Sequence, residues 1–388
     1  MNSSKLKIII IGVILYAVST FFSYFVFAQI AGSGLITSPI PEPKKEGGKL
    51  TFDDTLPKTE ECPLNGEMYS KQQRKWWEKH RPLGVMIENH QEARPQSGLS
   101  KSDVVYEAVA EGGITRFLTI FYCNDADFVG PVRSARTYFL DFISEYADYP
   151  LYAHVGGANT DGPANALGQI EGYGWQSYND LNQFSVGFPT YWRDYERLGH
   201  PVATEHTMYS TTQKLWDLGA QRKLTNVNKE GAKWDENFVQ YAFKDSPSAS
   251  ARPTSQTVSF NFWEGYGDYA VKWSYDSSSN SYLRFNGGQK HLDKINGQQL
   301  SAKDVVVLFM RESRANDGYE GNLHMLYGTK GTGKALIFMD GKQVVGTWSK
   351  KNRTARTIIK DDKGQDVKFT RGRIWFEILG TGSDVLVK

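Results

Sequence analysis

The chain has 388 residues, 40% hydrophobic and 23% charged, a globular composition far from the disordered regime. Its formal net charge of +2, without a long Lys/Arg run, excludes a general polyanion binder and argues against nucleic acid as a partner. Trp 10, Tyr 21 and Phe 21 suit large cores and equally suit surfaces on which sugars stack.

Residues 8–31 carry no charge and follow Lys5 and Lys7. Such a run is long enough to cross a membrane as one helix, which needs roughly 20 apolar residues. Lysines on the short side place that side in the cytoplasm and the rest of the chain outside. The expectation is an uncleaved single-pass anchor over 1–31, with the folded domains extracytoplasmic in the cell membrane. A signal peptide ending near Val26-Phe27-Ala28 is the rival, but its core would exceed the usual ~7–15 residues. No cysteine follows closely, so lipid attachment there is not expected. Residues 32–61, rich in Gly, Pro, Lys and Glu, read as a solvated spacer.

A first domain, 62–245, alternates its predicted elements. A helix is expected at 67–80, a buried strand at 82–89, and a helix at 100–111 with Ser100 and Asp103 in capping-box-like spacing. A strand at 115–123 precedes a helix at 131–146, entered through Gly130-Pro131, then a strand at 151–155. Residues 156–201 read as Gly- and aromatic-rich loops, before a helix at 211–219. A Pro/Ser-rich break over 244–256 sets the boundary. The second domain, 257–388, reads as seven strands at 258–263, 269–275, 281–285, 304–310, 334–339, 344–349 and 373–379. Asn286-Gly287-Gly288 and Asp340-Gly341 supply turns. The fold class is α+β or α/β: a mixed N-terminal domain followed by a mostly β C-terminal domain.

Charged residues in the first domain exceed what core packing explains. On a helix over 100–111, Glu107 and Glu111 share a face, a like-charge pair costing roughly 0.2–0.5 kcal/mol unless relieved. On a helix over 131–146, Arg133 and Arg136 fall in the first turns, where the helix dipole disfavours cations. They need an anionic partner: either these glutamates or a ligand. Glu88, Arg94 and Arg116 lie near the same strand and helix ends, where open α/β sheets form sites. A structural ion network weighs slightly more than a ligand site here, with Glu88, Arg94, Arg116, Arg133, Arg136 and His206 as binding candidates. Glu107, Glu111 and His154 are acid/base candidates if there is chemistry, although no complete catalytic motif is present. Cys62 and Cys123, both beyond the membrane in this topology, suit one disulfide. No metal site or cofactor is expected. Gly328-Thr-Lys-Gly-Thr-Gly-Lys-Ala nearly fits a phosphate loop, but Ala335 replaces the magnesium-binding Ser/Thr in a hairpin-like context. Ser134 lacks the Gly-x-Ser-x-Gly elbow of a nucleophile.

Several long polar motifs carry a resemblance. They are Arg81-Pro-Leu-Gly-Val-Met-Ile-Glu-Asn, Ala93-Arg-Pro-Gln-Ser-Gly-Leu, Asp103-Val-Val-Tyr-Glu, Glu111-Gly-Gly-Ile-Thr-Arg-Phe, Gly130-Pro-Val-Arg-Ser-Ala-Arg and His154-Val-Gly-Gly. Glu205-His-Thr-Met-Tyr and Gly341-Lys-Gln-Val-Val-Gly-Thr-Trp continue it. From about Cys62 to near its end the chain resembles the YerB-like family of bacterial envelope proteins, many of them lipoproteins. An apolar helix stands here where those carry a lipid-bearing cysteine. The resemblance implies a two-domain envelope module and brings no established reaction. The leading expectation is a membrane-anchored binding or scaffold protein recognising a wall glycan, a peptide or an envelope protein. An envelope hydrolase or transferase is second, and an ion network with function elsewhere third.

Overall fold

The computed structural model describes residues 3–32, 40–46, 49–146 and 148–388, in two compact units, Met1–Lys44 and Lys45–Lys388. In the first unit, α1 (Ser3–Gly32) exposes apolar side chains such as Val13, Leu15, Tyr16, Phe21 and Phe22. Among the described residues no helix is long and apolar enough to cross a membrane; the unbroken run of described side chains on α1 covers 10–26. Of the expected spacer, 33–39 and 47–48 lie outside the described residues.

The second unit begins before residue 62. β1 (Lys58–Glu61) pairs with β2 (Met68–Ser70), which leads into α2 (Lys71–Trp77). Ser70 and Gln73 form the reciprocal capping box that starts α2, and this box, not residue 67, sets the helix start. Cys62 and Cys123 are joined as a disulfide.

One ten-stranded mixed sheet organises the rest. From the first half of the chain come β3 (Leu83–Glu88), β4 (Val104–Glu111) and β5 (Ile114–Phe121). They are joined by α3 (Thr137–Ile143), β6 (Leu151–His154), β7 (Asp180–Asn182) and α4 (Thr212–Gln221). The second half supplies β8 (Thr257–Phe260), β9 (Val271–Asp276) and β10 (Ser281–Asn286), then β11 (Asp304–Met310), β12 (Gly331–Met339), β13 (Lys342–Lys350), β14 (Ile358–Asp361) and β15 (Ile374–Gly380). The order is β14-β13-β12-β11-β15-β4-β5-β3-β6-β7. β15 pairs in parallel with both β11 and β4, so the two halves share one backbone ladder. The break at 244–256 lies inside the compact unit Lys45–Lys388. The protein is α+β, its first half mixed and its second half strand-rich.

Two expected helices are corrected. Residues 104–111 form a central strand: Val104 to Ala110 are all buried, so no alternation shows in the sequence, and the β-branched valines favour extended backbone. Residues 131–136 are extended beside β3, with Glu88 N–H bonded to the Pro131 carbonyl (3.0 Å) and Arg133 N–H to that of Met86 (2.9 Å). Helix α3 starts only after Arg136, which is its N-cap.

The sheet is covered on both faces. On one, α3 packs so closely that a Cβ at Gly84 would lie 2.6 Å from the Ile143 side chain, and Tyr106 stacks between Phe142 and Phe376. The other face carries β8, β9 and β10, whose Trp273 meets Trp375 edge-on at 5.2 Å.

Candidate functional site

β3, β4 and β6 run in one direction and end at Glu88, Glu111 and His154. The carboxyl ends of parallel strands are where open sheets leave room for ligands. Here residues 129–135 thread through that edge. Val132 bridges Ile87 and donates its N–H to the Met208 carbonyl (2.7 Å), while Ala135 bonds to Gly156 (2.9 Å). The turn Thr204–His206 is thereby held against the end of β3. Gly130 makes the threading possible: with φ +142, a Cβ there would lie 2.7 Å from the Met208 carbonyl.

Two polar clusters occupy the edge. Glu88 is buried, with one carboxylate oxygen 3.4 Å from Arg133 Nε and the other accepting from His206 Nδ1 at 2.9 Å. That hydrogen bond raises His206 above its ordinary value against the opposing effect of burial. His206 Nε2 lies 3.6 Å from the Glu92 carboxylate, and the His90 ring stacks on it at 4.7 Å. The second cluster centres on Glu111, which accepts from Arg116 Nη2 at 2.9 Å and from Arg136 Nη2. Burial pushes Glu111 upward, but Arg116 and Arg136 outweigh it and bring the carboxyl down to about 2. The arginines are steadied by the backbone: Arg116 donates to Ser134 O at 2.9 Å, Arg136 to Ala135 O at 2.7 Å. The buried Nε atoms of Arg116, Arg133 and Arg136 have no hydrogen-bond partner.

Glu107 and Arg94 do not join them. The ladder between β4 and β5 shifts register between Val109 and Glu111, and this bulge turns Glu107 and Glu111 to opposite faces. Glu107 instead belongs to a fully buried triad with Arg284 and Glu377. Arg284 bonds Glu377 at 2.7 Å and Glu107 at 2.5 Å, between the rings of Trp273 and Trp375. Trp273 Nε1 donates to Glu377, and Thr115 to Glu107. Burial and then the charge of Glu107 push Glu377 far up. Arg94 donates to the Asn89 and Asp268 carbonyls, at the mouth of a cavity of about 400 Å³. His154 is buried with both ring nitrogens engaged, by Gly156 O and Asp180, each at 2.6 Å.

Sequence reasoning missed His90, Glu92, Asp180, Arg284 and Glu377. Glu88-Asn-His90-Gln-Glu92 places a titratable side chain at every second position after an apolar strand, a signal available in the sequence. Arg284 sits between Tyr282 and Asn286 on the inner face of β10, where a charged residue requires a buried partner.

The family described as "Protein of unknown function (DUF3048) N-terminal domain" matches residues 65–225, and its C-terminal counterpart matches 258–376. The chain is similar to the "Putative lipoprotein YerB" of Bacillus subtilis (strain 168), at 29% identity over 304 residues, covering 77% of this chain and 81% of that protein. The crystal structure of the YerB protein from Bacillus subtilis shares the fold, with a TM-score of 0.68 at 23% identity, covering 85% of this chain and 100% of that one.

Proposed function

Starting from a chain that belongs to the DUF3048 family, a family of unknown function, we propose a membrane-attached, extracytoplasmic envelope protein that binds an acidic wall component at the carboxyl edge of its sheet. The observation carrying this is the open arginine edge. Arg133 is a quarter exposed and its contact with Glu88 is long at 3.4 Å, while Arg116 and Arg136, at the same edge, each keep a buried Nε without a hydrogen-bond partner. A partly exposed guanidinium held by one long contact can offer its outer N–H groups to carboxylate or phosphate oxygens. Phe184 lies over Gly156 at the end of β6 and is 76% exposed, a ring available to a sugar face. A wall glycan or peptide bearing carboxylates matches both features.

Attachment to the membrane rests on the charge-free run 8–31 behind Lys5 and Lys7, which suits a single-pass anchor with a cytoplasmic N-terminus. The lipoprotein character named for the Bacillus subtilis relative and the disulfide favour the same compartment. Binding is favoured over turnover because the glutamates of the edge are already committed. Glu111, at about 2, stays ionised between two arginines, Glu88 is engaged through both oxygens, and Glu107 lies beneath the second sheet.

The test is calorimetric titration of the full chain in detergent micelles with solubilised wall fragments. Saturable binding is expected, weakened about tenfold or more in Arg133→Ala, since a charge-assisted hydrogen bond contributes about 1.5–3 kcal/mol. Heat changes indistinguishable from dilution in the wild type would reject the proposal.

A further inference from the structure

We propose that His90, Glu92 and His206 form a binding site for a divalent cation of the zinc class. Each offers one ligand atom, and the three lie within 4.8 Å of one another. Tetrahedral zinc with bonds of ~2.1 Å sets its ligand atoms about 3.4 Å apart, so binding requires the stacked rings of His90 and His206 to turn toward a common point and draw Glu92 in. Two imidazoles and a carboxylate suit zinc and its neighbours better than calcium or magnesium, which take oxygen ligands.

The surroundings are those of a metal-binding histidine. Glu88 lies 2.9 Å from His206 Nδ1, so a ring that ligates through Nε2 keeps its Nδ1 proton on that carboxylate, and Nε2 faces Glu92 at 3.6 Å. A carboxylate behind a ligating imidazole fixes its tautomer and ring orientation, and Glu88 is itself held by Arg133 at 3.4 Å. His206 is buried on a turn whose next strand is tied to Val132, so it is a fixed point. His90 and Glu92 come from another short turn, Gln91–Ala93, closed by Ala93 N–H on the His90 carbonyl at 3.0 Å. Glu92 is 56% exposed, which leaves an entry path and room for a water or a substrate oxygen in the fourth position. The exposed Glu205, beside His206 in the chain, adds negative charge. The cluster of Cys62, Asp103 and Cys123 offers no comparable site, because its sulfurs are spent in the disulfide.

The experiment uses the untagged full chain in detergent, stripped with chelator and titrated calorimetrically with Zn²⁺, with Co²⁺ absorption as a spectroscopic readout. One equivalent is expected, with visible bands of a low-coordinate Co²⁺ site. Affinity falls at least tenfold in His206→Ala and in Glu92→Gln, and between tenfold and a hundredfold in Glu88→Gln. His200→Ala, at an exposed histidine outside the cluster, leaves it unchanged. Glu92→Gln removes an exposed ligand without touching the core, so a fold defect in His206→Ala does not spoil the test. No stoichiometric uptake by the wild type, or uptake equal in all variants, overturns the site. No wall fragment enters the assay, so this result and wall binding stand or fall separately.

Discussion

Glu107 and Glu111 are four residues apart on one strand, yet they belong to opposite kinds of charge network. Glu107 sits with Arg284 and Glu377 in a triad sealed between two sheets, every member fully buried. Glu111 sits with Arg116 and Arg136 at an edge and remains 23% exposed. The sealed network joins segments separated by 177 positions, β4 and β10, and so belongs to the assembly of the two halves of the chain. The edge network is steadied by its own backbone, keeps unpaired donors and meets solvent. One bulge divides a sealed network from one that meets solvent.

Arg284→Ala is expected to have the largest effect. It strands the Glu107 carboxylate in the core, a loss of about 3–5 kcal/mol, read as a lowered thermal midpoint of the full chain in detergent. Replacing the pair together, Glu107→Leu with Arg284→Met, is expected to recover most of that loss, because a well-packed apolar substitute avoids burying charge. A single variant as stable as the wild type would mean that the triad does not hold the halves together.

Glu111→Gln comes next, with a cost of about 1–2 kcal/mol at neutral pH, reduced by partial exposure. Its pH dependence separates it from the triad. Glu111 is lowered from 4.5 to about 2 in the fold, so its contribution is complete above 4.5 and disappears as pH falls through 2. Thermal midpoints measured from pH 5 to pH 2 are expected to fall more steeply in the wild type than in Glu111→Gln. Parallel curves would place no charge linkage at this edge.

Much of the second half of the fold was legible. Asp340-Gly341, at φ +54 and +71, closes β12 onto β13 with the turn chemistry a hairpin demands. β4 was not legible, because its two buried faces erase alternation and leave a run that fits a buried helix equally well. The same limit applies to the site. Glu88, Arg133 and His206 could be singled out by type, but Glu88 and His206 are 118 positions apart and only tertiary structure pairs them. The bulge between Val109 and Glu111 decides which glutamate reaches the edge, and Val-Ala-Glu-Gly-Gly carries no local mark of where an extra residue is absorbed.

Arg133→Ala should produce the smallest change in stability and the clearest change in binding. Its side chain is 26% exposed and its contact with Glu88 is long at 3.4 Å, so its loss is expected to cost about 0.5–1 kcal/mol. Glu88 keeps its hydrogen bond to His206, and the backbone of residue 133 still pairs with Met86 and Val155. Structure therefore depends little on this guanidinium, whereas an anion at the edge depends on it directly. The pairing of a near-normal thermal midpoint with lost affinity for wall fragments is the reverse of what Arg284→Ala should show. If Arg133→Ala instead unfolds the protein, the edge is as structural as the triad and the contrast between the two networks collapses.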